Sequence, residues 1–349
     1  MTSVAEQGRP ASMPKAPKDQ QLTLVRIDGD GVGPEIIDSA ARVVEAAVPG
    51  VEWVEALAGE RALVSYGHVA PDETLEALKT VGVALKGPFN TPSGGSRRSP
   101  NHRLRRELDL YANLRPLPIP TAPKPVLLVR ENVEDLYAAI EWSPAPGVAE
   151  AAKIATEQGC ARISRFAFEL AQREQRAKVT VVHKANNLKL TEGMFLDVAR
   201  EVAQDHPAIA CDDLLVDTAA SELILHPESF DVILTSNTFG DILSNVGAAV
   251  AGSLGLVASL NVGADVAIAE ASHGDAGQLA GADRVNPIAM IRSAALLLAH
   301  VGLHDAAVRI DEAVTDVLAA DIRTLDLGGS ATTHEVTDEV ITRMGKVIA

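Results

Sequence analysis

Three arginines give the sequence its first chemical signal: Arg105, Arg115 and Arg130. Each carries a planar, permanently charged guanidinium that can hold a carboxylate through two parallel hydrogen bonds, a geometry that lysine does not reproduce well. The segment from Arg97 to Arg106 is also locally basic, although the whole chain has a formal net charge of −16. A site for a small anion would explain these residues, and so would a solvated basic face, so the neighbouring motifs must decide.

Four further side chains could transfer protons or bind a cation. Tyr137 and Lys184 can act as acid or base, and Asp217 and Asp241 offer the oxygen ligands that Mg²⁺ and Mn²⁺ prefer. Taken singly, each has an ordinary explanation, because a tyrosine or lysine is most often structural or exposed and an aspartate at a strand end is most often a helix cap. The residue types alone do not establish a site.

The composition limits the classes of protein to which the chain can belong. With 349 residues, 47% of them hydrophobic, it can bury a large core, and its length predicts two domains. The charge of −16 argues against nucleic acid or an acidic membrane surface as a partner. Cys160 and Cys211 cannot form a disulfide framework or a CxxC metal site, and no window approaches the roughly 18 apolar residues of a membrane span. Residues 1 to 20 lack a signal-peptide core and are predicted to be a disordered leader, so we expect a cytoplasmic protein.

The elements that must position these residues alternate between strands and helices. Helical periodicity covers Glu35–Ala47, Glu150–Gln172 and Glu192–Gln204. Segments of strand character are LTLVRI, VGVALKG, PVLLVREN, VTVVHKAN, LLVDTAASELILH, FDVILTS and VAIAEAS. This order predicts an α/β protein with a substantially parallel sheet. The small, apolar stretch from Gly247 to Val262 predicts close helix packing or a tight turn.

A glycine-rich turn, GDGVGPE, follows the first predicted strand. Gly29, Gly31 and Gly33 alternate, and Pro34 comes next, so the G-x-G-x-x-G spacing of a Rossmann dinucleotide site is absent. The spacing favours a strained turn between a strand and a helix over a nucleotide site.

Several long motifs, in order along the chain, resemble the isocitrate and isopropylmalate dehydrogenase family. They are KGPFNTPSGG, SPNHRLRRELDLYANLRP, VRENVEDLYAAIE, HKANNLKLTEG, SNTFGDILSN, ASHGDAG and RTLDLGGSATT. The resemblance implies the two-domain α/β fold of that family, which is not a Rossmann fold. It implies a large cofactor-binding domain of residues 21–110 and 252–349, and a small domain of residues 111–251 that forms the interface of a homodimer and carries an arm near residues 135–160.

The resemblance also implies a substrate. Arg105, Arg115 and Arg130 match the positions that bind substrate carboxylates, and Ser99 and Asn101 match the pair with which isocitrate dehydrogenases bind the distal carboxylate. Isopropylmalate enzymes present an apolar pocket instead. These residues favour isocitrate as the small anionic hydroxy-acid substrate. Homoisocitrate, isopropylmalate, tartrate and a tricarboxylate analogue bearing a phosphonate stay open, as does a non-catalytic, ligand-binding subunit of a heteromeric dehydrogenase.

Catalytic roles follow from the same resemblance. Lys184 would take the proton of the C2 hydroxyl as hydride leaves, and Tyr137 would protonate the enolate after decarboxylation. Asp217 and Asp241 would bind Mg²⁺ or Mn²⁺ with the residue one helical turn after Asp241. That residue is usually a third aspartate in the family and is Asn245 here, which can ligate but supplies no charge.

The cofactor is expected at a set of eight residues: Lys86, Thr91, His273, Gly274, Gln278, Leu279, Val285 and Asn286. NADP-using relatives carry a Lys-Tyr pair where this chain has Gln278 and Leu279, so a 2′-phosphate finds no evident cationic partner. NAD is therefore favoured over NADP. Gln278 also replaces the acidic residue of many NAD enzymes, but it could still bond ribose hydroxyls. Asp275 and Gly277 are further departures from the family pattern.

Overall fold

The computed structural model describes residues 21–92, 94 and 98–346. The predicted leader at residues 1–20 and the basic residue Arg97 lie outside the described residues. The described chain divides into two compact units, one comprising Tyr111–Ala251 and the other comprising the described residues up to Leu110 and from Gly252 onward. The roles expected for the corresponding domains stay predictions.

The helices and strands are given in chain order. Up to Leu110 they are β1 (Thr23–Ile27), α1 (Gly33–Ala47), β2 (Glu52–Glu55), α2 (Glu60–Tyr66), α3 (Asp72–Val81), β3 (Val83–Lys86) and α4 (Pro100–Glu107). The Tyr111–Ala251 unit contains β4 (Ala112–Leu117), β5 (Val126–Glu131), β6 (Glu141–Ala145), β7 (Val148–Ala151), α5 (Glu157–Arg173), β8 (Lys178–His183), α6 (Thr191–Ala203), β9 (Ala210–Leu215), α7 (Val216–Leu225), β10 (Val232–Thr235) and α8 (Asn237–Ala251). The remainder contains β11 (Ala258–Val262), β12 (Ala267–Ala271), α9 (Ile288–His300), α10 (His304–Ala319) and α11 (Thr333–Lys346).

Each unit contains five strands of mixed sheet, and the Tyr111–Ala251 unit also contains the two-stranded sheet of β6 and β7. In the Tyr111–Ala251 unit the order is β4-β5-β10-β8-β9, with β4 and β5 antiparallel and the other neighbours parallel. In the other unit the order is β2-β1-β3-β12-β11, with only β11 and β12 antiparallel among these pairs. Strands alternating with helices produce this arrangement, and the predicted α/β class is confirmed.

The glycine-rich turn after β1 has a structural role. Gly31 has φ +57, and a Cβ there would lie 2.0 Å from the backbone oxygen of Asp275. That oxygen accepts a hydrogen bond of 2.9 Å from the amide of Val32, so glycine permits two backbones to meet. Pro34 lies in the first turn of α1, where its missing N–H costs nothing.

Two sequence-based element predictions were wrong. Residues from Glu150 do not begin a helix, because β7 pairs with β6 as an antiparallel hairpin; α5 begins only at Glu157, where the Thr156 hydroxyl caps it by accepting from the amide of Gly159. The segment LLVDTAASELILH is not one strand, since β9 ends at Leu215 and α7 follows. At Glu150, pairing with β6 overrides the local helix propensity. At Leu215, the prediction missed the helix-forming residues that follow the strand.

The hairpin of β6 and β7 lies inside the segment predicted as an arm, and every residue of both strands is exposed. Large apolar side chains are among them, including Trp142 and Val148. No helix among the described residues is long and apolar enough to cross a membrane. Cys160 and Cys211 are both free thiols.

Gly247 shows why the apolar stretch that begins near the end of α8 contains small residues. A Cβ at this position would lie 2.5 Å from Cδ1 of Leu117, a fully buried residue of β4. Close packing of α8 against β4, one of the two explanations expected from the sequence, therefore applies at this end of the stretch.

Replacing Gly247 by Val should destabilise the protein by about 1–3 kcal/mol, because the added atoms overpack a filled site. Gly193→Val is the matched control: Gly193 also lies in a helix, α6, and a Cβ there meets nothing within 4 Å. Urea unfolding of both variants measures the difference. Equal losses would show that helix propensity, and not the contact with Leu117, explains the effect.

Candidate active site

The carboxylate of Asp241 is the centre of a cluster in the Tyr111–Ala251 unit. Its Oδ1 pairs with Nη1 of Arg130 at 2.5 Å and lies 3.5 Å from Nη1 of Arg115, and its Oδ2 accepts a hydrogen bond of 2.6 Å from the Tyr137 hydroxyl. The guanidinium of Arg130 also lies 5.0 Å from the centre of the Tyr137 ring. The structure thus brings together two predicted substrate arginines, the predicted proton donor and a predicted metal ligand.

Strand register explains how the two arginines meet. Arg130 of β5 stands opposite Asn113 of β4, and Arg115 lies two residues further along β4. Side chains alternate between the faces of a strand, so both guanidinium groups emerge on the same face of the sheet. Helix α8 packs on β4 and β5 and carries Asp241 to the same place.

Both guanidinium groups are almost fully desolvated, with 1% of the Arg130 side chain and 6% of the Arg115 side chain exposed. Nε and Nη2 of Arg130 donate to Oδ1 of Asn237 at 3.0 and 2.7 Å. Nε of Arg115 donates to Oδ1 of Asn113 at 2.7 Å, and its Nη1 donates to the Ser244 hydroxyl at 2.6 Å. Neutral partners fix the orientation of the two cations without cancelling their charge.

Lys184 and Asp217 form a second group in the same unit. Lys184 follows β8, and its Nζ pairs with Oδ1 of Asp217, in the first turn of α7, at 2.5 Å. That hydrogen bond lowers the pKa of Asp217. Next to Lys184, the buried His183 ring accepts from the amide of Ala185 at 3.0 Å and bonds Asp213 at 3.1 Å, which fixes the chain at this turn.

Asn245 lies one turn after Asp241 on α8, as predicted. It is exposed, and its Nδ2 donates to the backbone oxygen of Asp241 at 2.9 Å, so Oδ1 is the atom of this amide that could ligate a cation. Within the part of the chain that the structure describes, no three His, Cys, Asp or Glu side chains lie close enough to hold a metal ion.

The other predicted substrate residues lie on α4. Ser99 is the N-cap of this helix, since its Oγ accepts from the amide of Asn101 at 3.3 Å, and its hydroxyl hydrogen can still be donated. Arg105 is one helical turn after Asn101, on the same face, and its Nη2 lies 3.3 Å from Oε1 of Glu270.

A buried ion pair underlies the loop after β3. Nζ of Lys86 lies 2.7 Å from Oε2 of Glu270 and donates to the backbone oxygen of Gly87 at 2.9 Å. Burial lowers the pKa of Lys86. Burial alone would raise the pKa of Glu270, but Lys86, Arg105 and the amide of Asn261 outweigh it and hold that pKa well below its ordinary range. Lys86, which is predicted to contact the cofactor, directs its Nζ to Glu270 and Gly87 inside the protein.

A cleft of about 480 Å³ gathers five of the predicted cofactor residues. Its wall comprises Ser253, Leu254, Gly255, His273, Gly274, Ala276, Leu279, Arg284, Val285, Asn286, Leu325 and Asp326. Thr91 and Gln278, also predicted to bind the cofactor, are exposed and are not part of this wall.

Several polar groups of the cleft hold one another in place. Asp326 accepts from the Ser253 hydroxyl at 2.5 Å and from Nδ2 of Asn286 at 3.1 Å. Nδ1 of His273 bonds the backbone oxygen of Gly274 at 2.9 Å, so this nitrogen carries the proton, and burial lowers the pKa of the ring. Nε2 of His273 is then a buried acceptor without a partner among the described residues, which fits a ligand that donates a hydrogen bond there.

Sequence reasoning missed several of these groups. Asp326 lies in RTLDLGG, a motif that carried the resemblance but received no role, and Gly255 was attributed to packing alone. Arg284, exposed at the cleft, and Glu270, inside a strand, carried no local signal. The spacing of RTLDLGG was the one available clue.

In the Tyr111–Ala251 unit, buried arginines lie beside a tyrosine and an aspartate, a combination that can bind a small anion. The other unit contains a cleft that can hold a larger ligand. Comparison with known proteins agrees. The isocitrate/isopropylmalate dehydrogenase family model matches residues 23–340. The NAD isocitrate dehydrogenase subunit 2 of Kluyveromyces lactis mitochondria is 40% identical over 94% of this chain and 92% of its own length.

Two further proteins extend the comparison. The 3-isopropylmalate dehydrogenase of Archaeoglobus fulgidus is 42% identical over 91% of this chain and 98% of its own. The crystal structure of isocitrate dehydrogenase from Methylococcus capsulatus is 41% identical, with a TM-score of 0.88 over 92% of this chain and 99% of that one. The chain belongs to the isocitrate/isopropylmalate dehydrogenase family and is a β-decarboxylating dehydrogenase in kind, which confirms the predicted family and fold. Members of this family use NAD or NADP and, generally, a divalent metal.

Proposed function

We propose that this protein catalyses the NAD- and divalent-metal-dependent oxidative decarboxylation of isocitrate to 2-oxoglutarate and CO₂. The observation that carries the proposal is the cluster of Arg115, Arg130 and Tyr137 around Asp241. Two desolvated guanidinium groups against one carboxylate leave a net positive charge, which suits the carboxylates of a small hydroxy acid.

Isocitrate is preferred to isopropylmalate because of α4. The hydroxyl hydrogen of Ser99 and the side-chain amide of Asn101 can bond a distal carboxylate, and Arg105 supplies charge on the same helix. A branched alkyl group would instead leave these polar groups without partners, which would weaken its binding. Homoisocitrate and a phosphonate analogue also carry a distal anion and are therefore the nearest alternatives.

Two side chains would move protons. Lys184 would accept the C2 hydroxyl proton, and Tyr137 would protonate the carbon from which CO₂ departs. An ammonium cannot accept a proton, so we propose that Lys184 acts as the neutral amine, with its contact to Asp217 open. The Tyr137 hydroxyl is oriented by Asp241 and by the Arg130 guanidinium over its ring.

The donor chemistry fits a divalent cation. Asp241, with a third of its side chain exposed, and Oδ1 of Asn245 offer oxygen ligands one helical turn apart, and Asp217 offers another. We expect Asp217 to be supplied by a second copy of the chain, together with Lys184. When bound, Mg²⁺ or Mn²⁺ would polarise the C2 oxygen and the adjacent carboxylate.

A homodimer is part of the proposal. An isolated two-stranded hairpin is marginally stable in water, yet β6 and β7 form one whose side chains, Trp142 and Val148 included, are all exposed. A second copy of the hairpin is the occupant that we propose for this surface.

The cleft lined by His273 and Asn286 would hold the adenosine half of the cofactor. The buried Nε2 atom of His273, which has no hydrogen-bond partner among the described residues, supports that assignment. The carboxylate of Asp326 opposes a 2′-phosphate, and Gln278 adds no charge that would attract one, so NAD is preferred. Arg284 is the exposed cation in the wall of this cleft that could favour NADP. When bound, NAD supplies the hydride acceptor for C2.

The proposal predicts that isocitrate with NAD and Mg²⁺ or Mn²⁺ gives the highest kcat/KM, with one CO₂ released per NADH. The test compares isocitrate, homoisocitrate, 3-isopropylmalate and tartrate with each cofactor, with and without chelator. A higher kcat/KM for another acid would support the proposed reaction type but show that isocitrate is not the preferred substrate. A preference for NADP would contradict the inference that Asp326 disfavours a 2′-phosphate. Absence of turnover with every acid would favour the alternative that the protein is a non-catalytic, ligand-binding subunit.

Tyr137→Phe and Lys184→Met should each lower kcat by roughly 10²-fold or more, the usual scale for a positioned acid or base. Tyr66→Phe and Lys178→Met are matched controls, since Tyr66 is exposed and Lys178 pairs with Asp212 at the surface. Steady-state kinetics measure the effect. Near-normal turnover in both site variants would remove these residues from proton transfer.

Asn245→Asp should tighten Mg²⁺ or Mn²⁺ binding in the absence of substrate by roughly tenfold, because carboxylate charge drives the affinity for hard cations. Ala249→Asp adds the same charge at another exposed position of α8 and serves as the control. Metal titration by calorimetry compares the three proteins. Unchanged or weaker affinity in Asn245→Asp would place residue 245 outside the metal site.

A further inference from the structure

Lys153 lies between two buried carboxylates of the Tyr111–Ala251 unit. Its Nζ is 2.5 Å from Oδ1 of Asp135 and 2.9 Å from Oε1 of Glu192. The exposed fractions of the three side chains are 14% for Lys153, 3% for Asp135 and 1% for Glu192. The ammonium also lies 5.1 Å from the centre of the Phe239 ring. The proposed chemistry assigns no role to Lys153, Asp135 or Glu192.

Asp135 holds two segments that carry site residues. Its Oδ1 accepts from the amide of Leu136 at 2.7 Å, at the start of the short 3-10 turn that carries Tyr137. Its Oδ2 accepts from the amide of Thr238 at 2.9 Å, in the first turn of α8, the helix that carries Asp241.

Glu192 holds a third segment. Its Oε2 accepts from the backbone amide of Lys184 at 2.9 Å, while its Oε1 faces Lys153. A continuous series of contacts therefore runs from the turn of Tyr137, through Asp135, Lys153 and Glu192, to the backbone of Lys184.

The backbone of Asp135 supports a functional explanation. Its φ of 67° and ψ of −153° lie in a region that is essentially restricted to glycine. Such a conformation persists only where the surroundings fix it, and here the contacts with Lys153 and the two amides do so. Burial would raise the pKa of Asp135, but the Lys153 charge and these hydrogen bonds outweigh it and lower the pKa.

We propose that Lys153 is a positioning residue that fixes both the Tyr137 turn and the Lys184 turn of one chain, by joining the carboxylates that hold the two backbones. Since we expect Lys184 to act in the site of the second copy, each Lys153 would position one proton-transfer group in each of the two sites. The inference rests on the proposed proton-transfer roles of Tyr137 and Lys184. Buried ion pairs add little net stability compared with apolar replacements, so a purely stabilising role is a weak explanation for this arrangement. Misplacement of a catalytic group by about 1 Å can reduce a rate about 10²-fold.

The test compares Lys153→Met with Lys153→Arg in the full-length protein, using isocitrate, NAD and Mg²⁺. Lys153→Met should lower kcat about 10²-fold and leave KM within about threefold, because the substrate arginines are not part of the series of contacts. Lys153→Arg keeps a cation that can reach both carboxylates and should restore kcat to within about tenfold of the unsubstituted protein. Lys178→Met, which removes a surface ion pair, is the control. Unchanged kcat in a folded Lys153→Met would overturn the proposal.

A charge-balanced variant separates positioning from charge compensation. Asp135→Asn, Lys153→Met and Glu192→Gln together leave no unpaired buried charge, so this triple variant should fold even where Lys153→Met alone does not. Its kcat should stay low. Recovery of kcat in the triple variant would mean that Lys153 only neutralises its neighbours.

Hydrogen exchange provides a readout that does not depend on turnover. The amides of Leu136, Thr238 and Lys184 should exchange at least tenfold faster in Lys153→Met than in the unsubstituted protein, and those of the control should not change. If the unsubstituted protein turns over no hydroxy acid, the proposed function fails while this measurement still tests the coupling. Unaltered exchange at all three amides would refute the coupling itself.

Discussion

The contact on which the candidate site most depends is the ion pair between Arg130 and Asp241. A guanidinium that is 99% buried would be very costly without partners, so the fold must supply acceptors around it. Asn237 and Asp241 do so from adjacent turns of α8, and this requirement fixes the helix against β5. Gly240 lies between them, and a Cβ there would be 2.6 Å from Cγ of Arg130, so the helix carries no side chain where the arginine passes. Tyr137 then takes its orientation from the remaining oxygen of Asp241.

The other unit also surrounds a carboxylate with polar and cationic side chains from several elements. Lys86, Arg105 and Asn261 converge on Glu270, which joins β3, α4, β11 and β12. In both units one carboxylate contacts cations from separate elements, and a cation that is predicted to bind substrate is among them. Such sites are rigid because each charge depends on the others. The arginines that are predicted to bind substrate are therefore placed by the same contacts that offset the cost of burying their charge.

Local patterns predicted the parts of the fold that depend on nearest neighbours. The strands β1, β5 and β10 and the helices α1 and α6 lie within two residues of the positions that alternation and periodicity predicted, and β8 ends three residues earlier than predicted. Prediction was wrong where long-range pairing decided, as in the hairpin of β6 and β7, and where a strand passed directly into a helix after Leu215. For the site, motif resemblance supplied the residues that β4, β5 and α8 assemble, namely Arg115, Arg130 and Asp241.

Local patterns did not predict the residues that hold predicted site residues or their backbone segments in place. Asn237, Glu270 and Lys153 act through contacts between positions that are distant in sequence, and a single charged or amide side chain inside a strand or loop has no periodic signature. Lys153 is 18 residues from Asp135 and pairs with it all the same. Positioning residues of this kind become visible only once the register of the strands is known.

Charge around Asp241 suggests how a metal and a substrate depend on each other. Arg115, Arg130 and Asp241 sum to one positive charge, and the neutral Asn245 does not reduce it. A divalent cation alone would enter a site that already repels it, whereas the carboxylates of a hydroxy acid would neutralise the guanidinium groups and provide ligand oxygens at the same time. A third aspartate at position 245 would reduce that repulsion before substrate arrives. We therefore expect Asn245 to make cation binding more dependent on the anionic substrate than an aspartate would, which couples the two ligands through electrostatics rather than through a conformational change.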